Sequence, residues 1–307
     1  MSAQQLKIAA IGLAVLLLLW GGSELFSRGS DSVTASLALP ALTQADVDSI
    51  TLVKGSDSIV LAKQSSTAWT ANGHRAAPAG VADLLRALKD TVRPEIVAQD
   101  TSSFARLQVD SAAGRWLRLS RGGKLVLQLI VGAQGGDYQS VYVRRPGDAR
   151  VYLWRGALAG LADRHADDWR DKRIAALEPD SIAALDVERG KDRYTLRRSA
   201  KTWTLNGGAT DSAAVGRYLE RLKSIMAVGF ATPKEADSTR AVRPHRRLTV
   251  RGGGGVLLAL AFDSTATTFL VRHLGGLGGD GASVYRMNSW DVDGVTPASR
   301  SLLRAKK

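Results

Sequence analysis

The sequence predicts an α+β fold: two tandem copies of an antiparallel-sheet domain, each with one main amphipathic helix, preceded by an N-terminal transmembrane helix. Three observations predict it. A W-T-x-N-G motif occurs twice, as Trp69-Thr70-Ala71-Asn72-Gly73 and as Trp203-Thr204-Leu205-Asn206-Gly207. Each is preceded by apolar residues of period two and followed by apolar residues at i, i+3, i+4, i+7. Near the N-terminus an uncharged run extends from Ile8 to Ser23. Nothing alternates strand with helix, which argues against a doubly wound parallel sheet.

The 307 residues, 45% hydrophobic and 23% charged, suffice for one large or two medium domains with real cores, at about 100–200 residues per domain. Cysteine is absent, which excludes disulfide frameworks, thiolate metal sites, cysteine nucleophiles and a lipid-modified N-terminal Cys. Lys+Arg 42 against Asp+Glu 29 gives a net charge of +13. Residues 1–27 hold only Lys7 and Glu24, so this excess belongs to the remainder of the chain.

The first element is residues 1–27. Its apolar run, with Leu16-Leu17-Leu18-Leu19-Trp20 at its centre, approaches the roughly 20 helical residues that cross a ~30 Å hydrocarbon layer. An uncleaved signal anchor is the preferred reading. A cleaved signal peptide competes, because Gly21, Gly22 and Ser23 suit a peptidase, although no clean A-x-A site is present. Lys7 and the terminal amine place the N-terminus inside and the bulk of the chain outside the cytoplasm, which for a bacterial inner-membrane protein is the periplasm. Residues 28–41, rich in Ser, Gly, Thr and Ala, read as a linker.

Copy one is expected over 42–174 and copy two over 175–298, with a basic tail over 299–307. Ile50, Leu52, Ile59 and Leu61 correspond at one constant offset to Leu185, Val187, Tyr194 and Leu196, an apolar-faced hairpin in both. The Asn-Gly pair after each tryptophan marks a tight turn. The helices follow, with Val81, Leu84, Leu85 and Leu88 matching Val215, Tyr218, Leu219 and Leu222. Pro78 suits a first helical turn in copy one, and Asp211 or Ser212 suits a cap in copy two. Leu117, Leu119, Leu125, Leu127 and Leu129 match Leu248, Val250, Val256, Leu258 and Leu260 as a second hairpin. A third joins Val141-Tyr142-Val143 to Val151-Tyr152-Leu153. Its partner is read as Phe269–Val271 with Val284-Tyr285, in preference to a register aligning Gly135-Gly136-Asp137 with Gly278-Gly279-Asp280.

The W-T-x-N-G turn, the helix Val81 to Leu88, the stretch Val141-Tyr142-Val143-Arg144-Arg145-Pro146-Gly147 leading to Val151-Tyr152-Leu153, and the charged segment Asp168-Trp169-Arg170-Asp171-Lys172-Arg173 together carry a likeness. The chain resembles a bacterial domain-of-unknown-function family found as tandem copies behind one membrane helix and associated with gliding-motility-type ABC transport systems. The resemblance covers most of residues 42–298; copy two lacks the closing charged segment. It implies an extracytoplasmic accessory of a transport or envelope machine, with ABC permease and ATPase components as partners, and it implies no reaction and no cofactor.

The residues agree with a non-enzymatic reading. His74, His165, His245 and His273 form no pair at i+3 or i+4, and His165 with Asp167 and Asp168 reads as a charged turn rather than a metal site. Neither a G-x-S-x-G elbow nor a G-x-x-x-x-G-K-[ST] phosphate loop is present. Glycines 275, 276, 278, 279 and 281 precede a strand where a dinucleotide site needs a helix, so they read as a flexible hairpin loop. Trp69, Asn72, Gly73, Trp203, Asn206 and Gly207 read as structural markers of the repeat, the tryptophans as buried. Arg240, Arg243, Arg246 and Arg247, beside His245, form the one local basic cluster and the candidate interaction patch. The basic excess suits an acidic envelope polymer or lipid, which gives the alternative function of a binding module. Nucleic acid is not expected outside the cytoplasm, and no motif for it is present. A third class, a hydrolase with converging carboxylates, has no supporting spacing.

Overall fold

The computed structural model of the protein describes residues 37, 39–89, 94–200, 202–240 and 243–304. The expected transmembrane helix, residues 1–27, and most of the expected linker lie outside the described residues. Among the described residues no helix is long and apolar enough to cross a membrane. Ala41–Lys307 form one compact unit, of mixed helix and mostly antiparallel strand.

The first sheet contains, in chain order, β1 (Ser49–Lys54), β2 (Asp57–Lys63), β3 (Trp69–Ala71), β4 (His74–Arg75), β5 (Glu95–Ala98), β6 (Arg115–Arg121), β7 (Lys124–Gln134), β8 (Ser140–Arg144) and β9 (Val151–Arg155). Their lateral order is β4-β3-β2-β1-β6-β7-β8-β9-β5. The second sheet contains β11 (Ala184–Arg189), β12 (Asp192–Ser199), β13 (Thr202–Leu205), β14 (Gly208–Ala209), β16 (Gly229–Phe230), β17 (Arg246–Gly252), β18 (Gly255–Ser264), β19 (Thr268–Gly276) and β20 (Val284–Asn288). It repeats the order strand for strand, as β14-β13-β12-β11-β17-β18-β19-β20-β16. Between them β10 (Arg173–Ala175) pairs with β15 (Ile225–Met226) in a two-stranded ribbon.

Period-two alternation sets the registers. Ile50 and Leu52 stand opposite Leu61 and Ile59 on one side and Leu119 and Leu117 on the other, all fully buried. Leu185 and Val187 repeat this between Leu196 and Tyr194 and between Val250 and Leu248. A one-residue slip would turn every one of these side chains to the opposite face, so register and burial enforce each other. Helix Gly80–Lys89 buries Val81, Leu84, Leu85 and Leu88, and helix Ser212–Leu222 brings Val215, Tyr218, Leu219 and Leu222 into the second core.

The Asn-Gly turns are the same in both sheets. Asn72 and Gly73 have φ of 47° and 84°, Asn206 and Gly207 48° and 84°, the doubly positive φ pair of a type I′ turn. Asn also extends the ladder. Its side-chain oxygen accepts from Val60 N at 2.8 Å in one sheet and from Thr195 N at 2.9 Å in the other, while its own N–H donates back to the same residue's carbonyl.

The third hairpin forms in the preferred register, with Val143 opposite Tyr152 and Val271 opposite Tyr285. The two Gly-Gly-Asp tripeptides therefore occupy different loops. Residues 135–139 join β7 to β8, whereas residues 277–283 join β19 to β20, at the other end of the strands. Pro78 is not in the first helical turn, because the helix starts at Gly80 and Ala79 carries the carbonyl that takes the first i+4 bond. Asp211 is the cap of the second helix, accepting from Ala214 N. The segment from 299 is no free basic tail up to Arg304. Ser299–Leu302 is a 3₁₀ turn whose Leu302 is buried in the second core, and Leu303 bridges to Thr210, because Leu302 gains more from burial than the flanking charges lose by lying at its rim. Ile174, one residue ahead of the expected boundary, also belongs to that core, with Ala175.

Candidate functional site

Of the four arginines singled out in the sequence, Arg246 and Arg247 do not share one face. Arg246 and Arg247 are neighbours on β17 and project to opposite faces. Arg246 is mostly buried: its guanidinium donates to Asp293 Oδ1 at 2.6 Å and Thr296 Oγ1 at 3.0 Å, and it lies over the Phe269 ring. Arg247 is exposed, as is Arg243, which reaches Glu188 at 4.0 Å. Arg240 closes helix Pro233–Arg240. Closeness in sequence does not survive strand alternation.

The charged segment 168–173 makes a seam between the sheets. Asp168 accepts from His165 N and Asp167 from Arg170, so the acidic side chains beside His165 are committed to the local turn. Trp169 is buried against Gly80, where an added Cβ would lie 3.2 Å from its ring. Arg170 bridges to Ala76 of the first sheet, donates to Ser283 Oγ at 2.7 Å and stacks over Phe230, 3.5 Å from the ring centroid. Arg75, at the end of β4, pairs with the buried Asp171 at 3.0 Å and donates to the carbonyls of Arg173 and Gly279. The glycine run is thus an ordered docking loop. At Gly279 φ is +67° and an added Cβ would fall 2.6 Å from His273, so only glycine lets the loop lie there.

At the same seam His74, Asp280 and Ser283 meet. Asp280 Oδ2 lies 3.1 Å from His74 Nδ1 and accepts from Ser283 Oγ at 2.7 Å; Ser283 Oγ is 3.2 Å from that same Nδ1. A nucleophile relay needs the hydroxyl on one ring nitrogen and the carboxylate on the other. Here both address Nδ1, and Arg170 already donates to the hydroxyl, so the cluster is a junction of charge and hydrogen bonds rather than an acyl-transfer centre. Burial pushes the Asp280 carboxyl up, but hydrogen bonds from Ser283, the Ala282 backbone, His74 and the Arg75 backbone outweigh it and hold it below the usual carboxylate range. Beside the cluster a cavity of about 320 Å³ is walled by Trp69, Arg75, Asp171, Arg173 and Gly278. The sequence carries no local sign of this site, since its partners lie some 200 residues apart.

Of the tryptophan markers, Trp69 is buried and Trp203 is half-buried against the second core. Two surfaces are open to partners. The outer edge of β5 pairs with nothing among the described residues, and its Ile96 and Val97 are exposed. The solvent face of the second sheet aligns Arg193, Glu188 and Arg247 in one cross-strand row and Arg197, Ala184 and Arg251 in another. The corresponding rows of the first sheet read Ser58, Val53, Trp116 and Ala62, Ser49, Ser120. Arg251 pairs with Asp186, whereas Arg193, Arg197 and Arg247 have no carboxylate partner among the described residues.

The chain belongs to the family described as Domain of unknown function (DUF4340), whose model matches residues 68–244, more than half of the chain. The matched stretch opens at the first W-T-x-N-G motif, takes in the seam segment and the second motif, and ends before β17. No curated protein and no solved structure matches the chain.

Proposed function

We propose that this DUF4340 chain is a non-enzymatic, membrane-anchored extracytoplasmic accessory subunit of an ABC-type transport or envelope system, built as two tandem copies of one α+β fold. The observation that carries the reading is the edge of β5, a row of backbone groups unpaired among the described residues and flanked by exposed Ile96 and Val97, which suits strand addition by a partner. The apolar run from Ile8 supports the anchor, and a seam of ion pairs within one compact unit supports a rigid docking body. The test is a pull-down of full-length tagged protein from native membranes in mild detergent, beside Val97→Pro, which removes a backbone N–H at the bulge of β5 and distorts that edge. Recovery of an ABC permease or ATPase by the parent and its loss in the variant is the expected result; no transporter subunit even after crosslinking overturns it.

The arginine rows on the second sheet favour a second reading, a binding module for an acidic envelope polymer or lipid. Salt-sensitive retention of the protein on such material, weakened by Arg193→Ala with Arg247→Ala, is its expected signature.

A further inference from the structure

In the second sheet two cations close on one carboxylate. Arg189, the last residue of β11, and Arg246, its cross-strand neighbour at the start of β17, both reach Asp293 Oδ1, at 3.0 and 2.6 Å. Asp293 comes from helix Ser289–Val295, which follows β20 and buries Val292 and Val295; its neighbour Thr296 adds a hydroxyl to Arg246 and a carbonyl to Arg189.

The first sheet has the same two cations. Lys54 is the last residue of β1, and Arg115 starts β6 beside it, because Val53 pairs with Trp116. Helix Leu158–Ala162 follows β9 and buries Leu158 and Leu161 at the same i, i+3 spacing, which sets Ala159 where Asp293 stands. The carboxylate is missing from the chain at that point, and a cavity of about 380 Å³ lies there, walled by Lys54, Arg115, Ala159 and Gly160. The Arg115 side chain is only 9% exposed; its Nη1 is 3.1 Å from Asp57 Oδ2 but forms no directed hydrogen bond. Lys54 has no carboxylate partner among the described residues. Arg115 is thus ion-paired with Asp57 and Asp163 also lines the cavity, so Lys54 is the cation there with no carboxylate of its own, while Gln108, Gln134 and Tyr138 offer amides and a hydroxyl. The volume is within the range of small-molecule sites.

We propose that this cavity binds a small carboxylate-bearing molecule, with Lys54 and Arg115 holding its carboxylate as Arg189 and Arg246 hold that of Asp293. The charge-assisted bonds supply affinity, and the amides select a ligand with further polar groups. Full-length protein in non-ionic detergent is titrated by calorimetry with D-glucuronate and succinate, against the uncharged D-glucose and succinamide. An oligogalacturonate arm separates a free acid from a polymer-borne one: tighter binding of the oligomer than of glucuronate assigns the carboxylate to a polymer. At least one acid binds and its neutral match does not; Lys54→Ala weakens that binding about tenfold or more. Because Arg115 is buried and its loss threatens folding, the decisive variant is Ala159→Asp, which supplies the carboxylate internally. It raises the melting temperature and abolishes acid binding. Acids and neutral matches behaving alike, or Ala159→Asp lowering the melting temperature or still binding the acid, overturns the proposal.

Discussion

The two sheets share strand order, register and turn chemistry, yet they part company at their loops and cations. In the first, residues 135–139 and 145–150 join β7 to β8 and β8 to β9 by loops of similar length; in the second, residues 265–267 make a short β18–β19 turn and residues 277–283 a long β19–β20 loop that carries Gly279 and Asp280 onto Arg75 and His74. In the second, Arg189 and Arg246 are neutralised by Asp293, whereas the matching Lys54 and Arg115 face a cavity. The difference teaches that a sheet's internal rules constrain its core and turns and leave loop lengths and rim charges free to diverge. Divergence at those positions joins the sheets and distinguishes their surfaces.

The largest effects should come where the sheets are alike. Leu117→Ala and Leu248→Ala each empty a fully buried site and are expected to cost about 2–5 kcal/mol. Chemical denaturation followed by far-UV circular dichroism and tryptophan fluorescence should show comparable losses; a cost under a quarter of its counterpart's in one sheet breaks the equivalence. Next, Asp293→Ala strands Arg189 and the largely buried Arg246, at about 2 kcal/mol, reduced from a fully buried pair because Asp293 is half exposed. Alanine at the Asn of either turn, Asn72→Ala or Asn206→Ala, should cost about 1–2 kcal/mol. The two values should agree, since φ and hydrogen bonds agree; a mismatch in urea midpoints beyond experimental error would show that the turns are not equivalent.

The smallest effect is one of pH. Glu235, at the start of helix Pro233–Arg240, accepts two hydrogen bonds from Arg286 of the second sheet and more from Thr232, which lower its carboxyl to about 2 from an ordinary 4.5. A folded-state value below the unfolded one contributes stability above pH 4.5 that is lost as pH falls from 4.5 towards 2. Glu235→Gln should flatten that part of the curve of urea midpoint against pH. An unchanged slope would mean that the Arg286 contact does not differ between folded and unfolded chains.

Much of the fold was legible because its causes are local. Alternation put Ile50, Leu52, Leu185 and Val187 on buried faces, helical spacing put Leu84 and Leu219 in cores, and Asn-Gly demanded its turn. The arginine cluster was misread for the same reason that strands were readable: period two sends Arg246 inward and Arg247 outward. Trp69 and Trp203 lie on the strands that lead into the two Asn-Gly turns, and Pro78 falls outside the helix, which starts at Gly80.

By itself, the sequence determined the α+β class, the paired hairpins, both helices and the repeated turn, since hydrophobic periodicity and backbone preference act over a few residues. Only the tertiary structure decided the seam at Arg75, Arg170 and Asp280, the division of Arg246 from Arg247, and the convergence of Lys54 and Arg115 on one cavity. Those depend on charges and loop ends meeting across some 60 to 200 residues, and such meetings are set by how sheets register and pack, which no local pattern records.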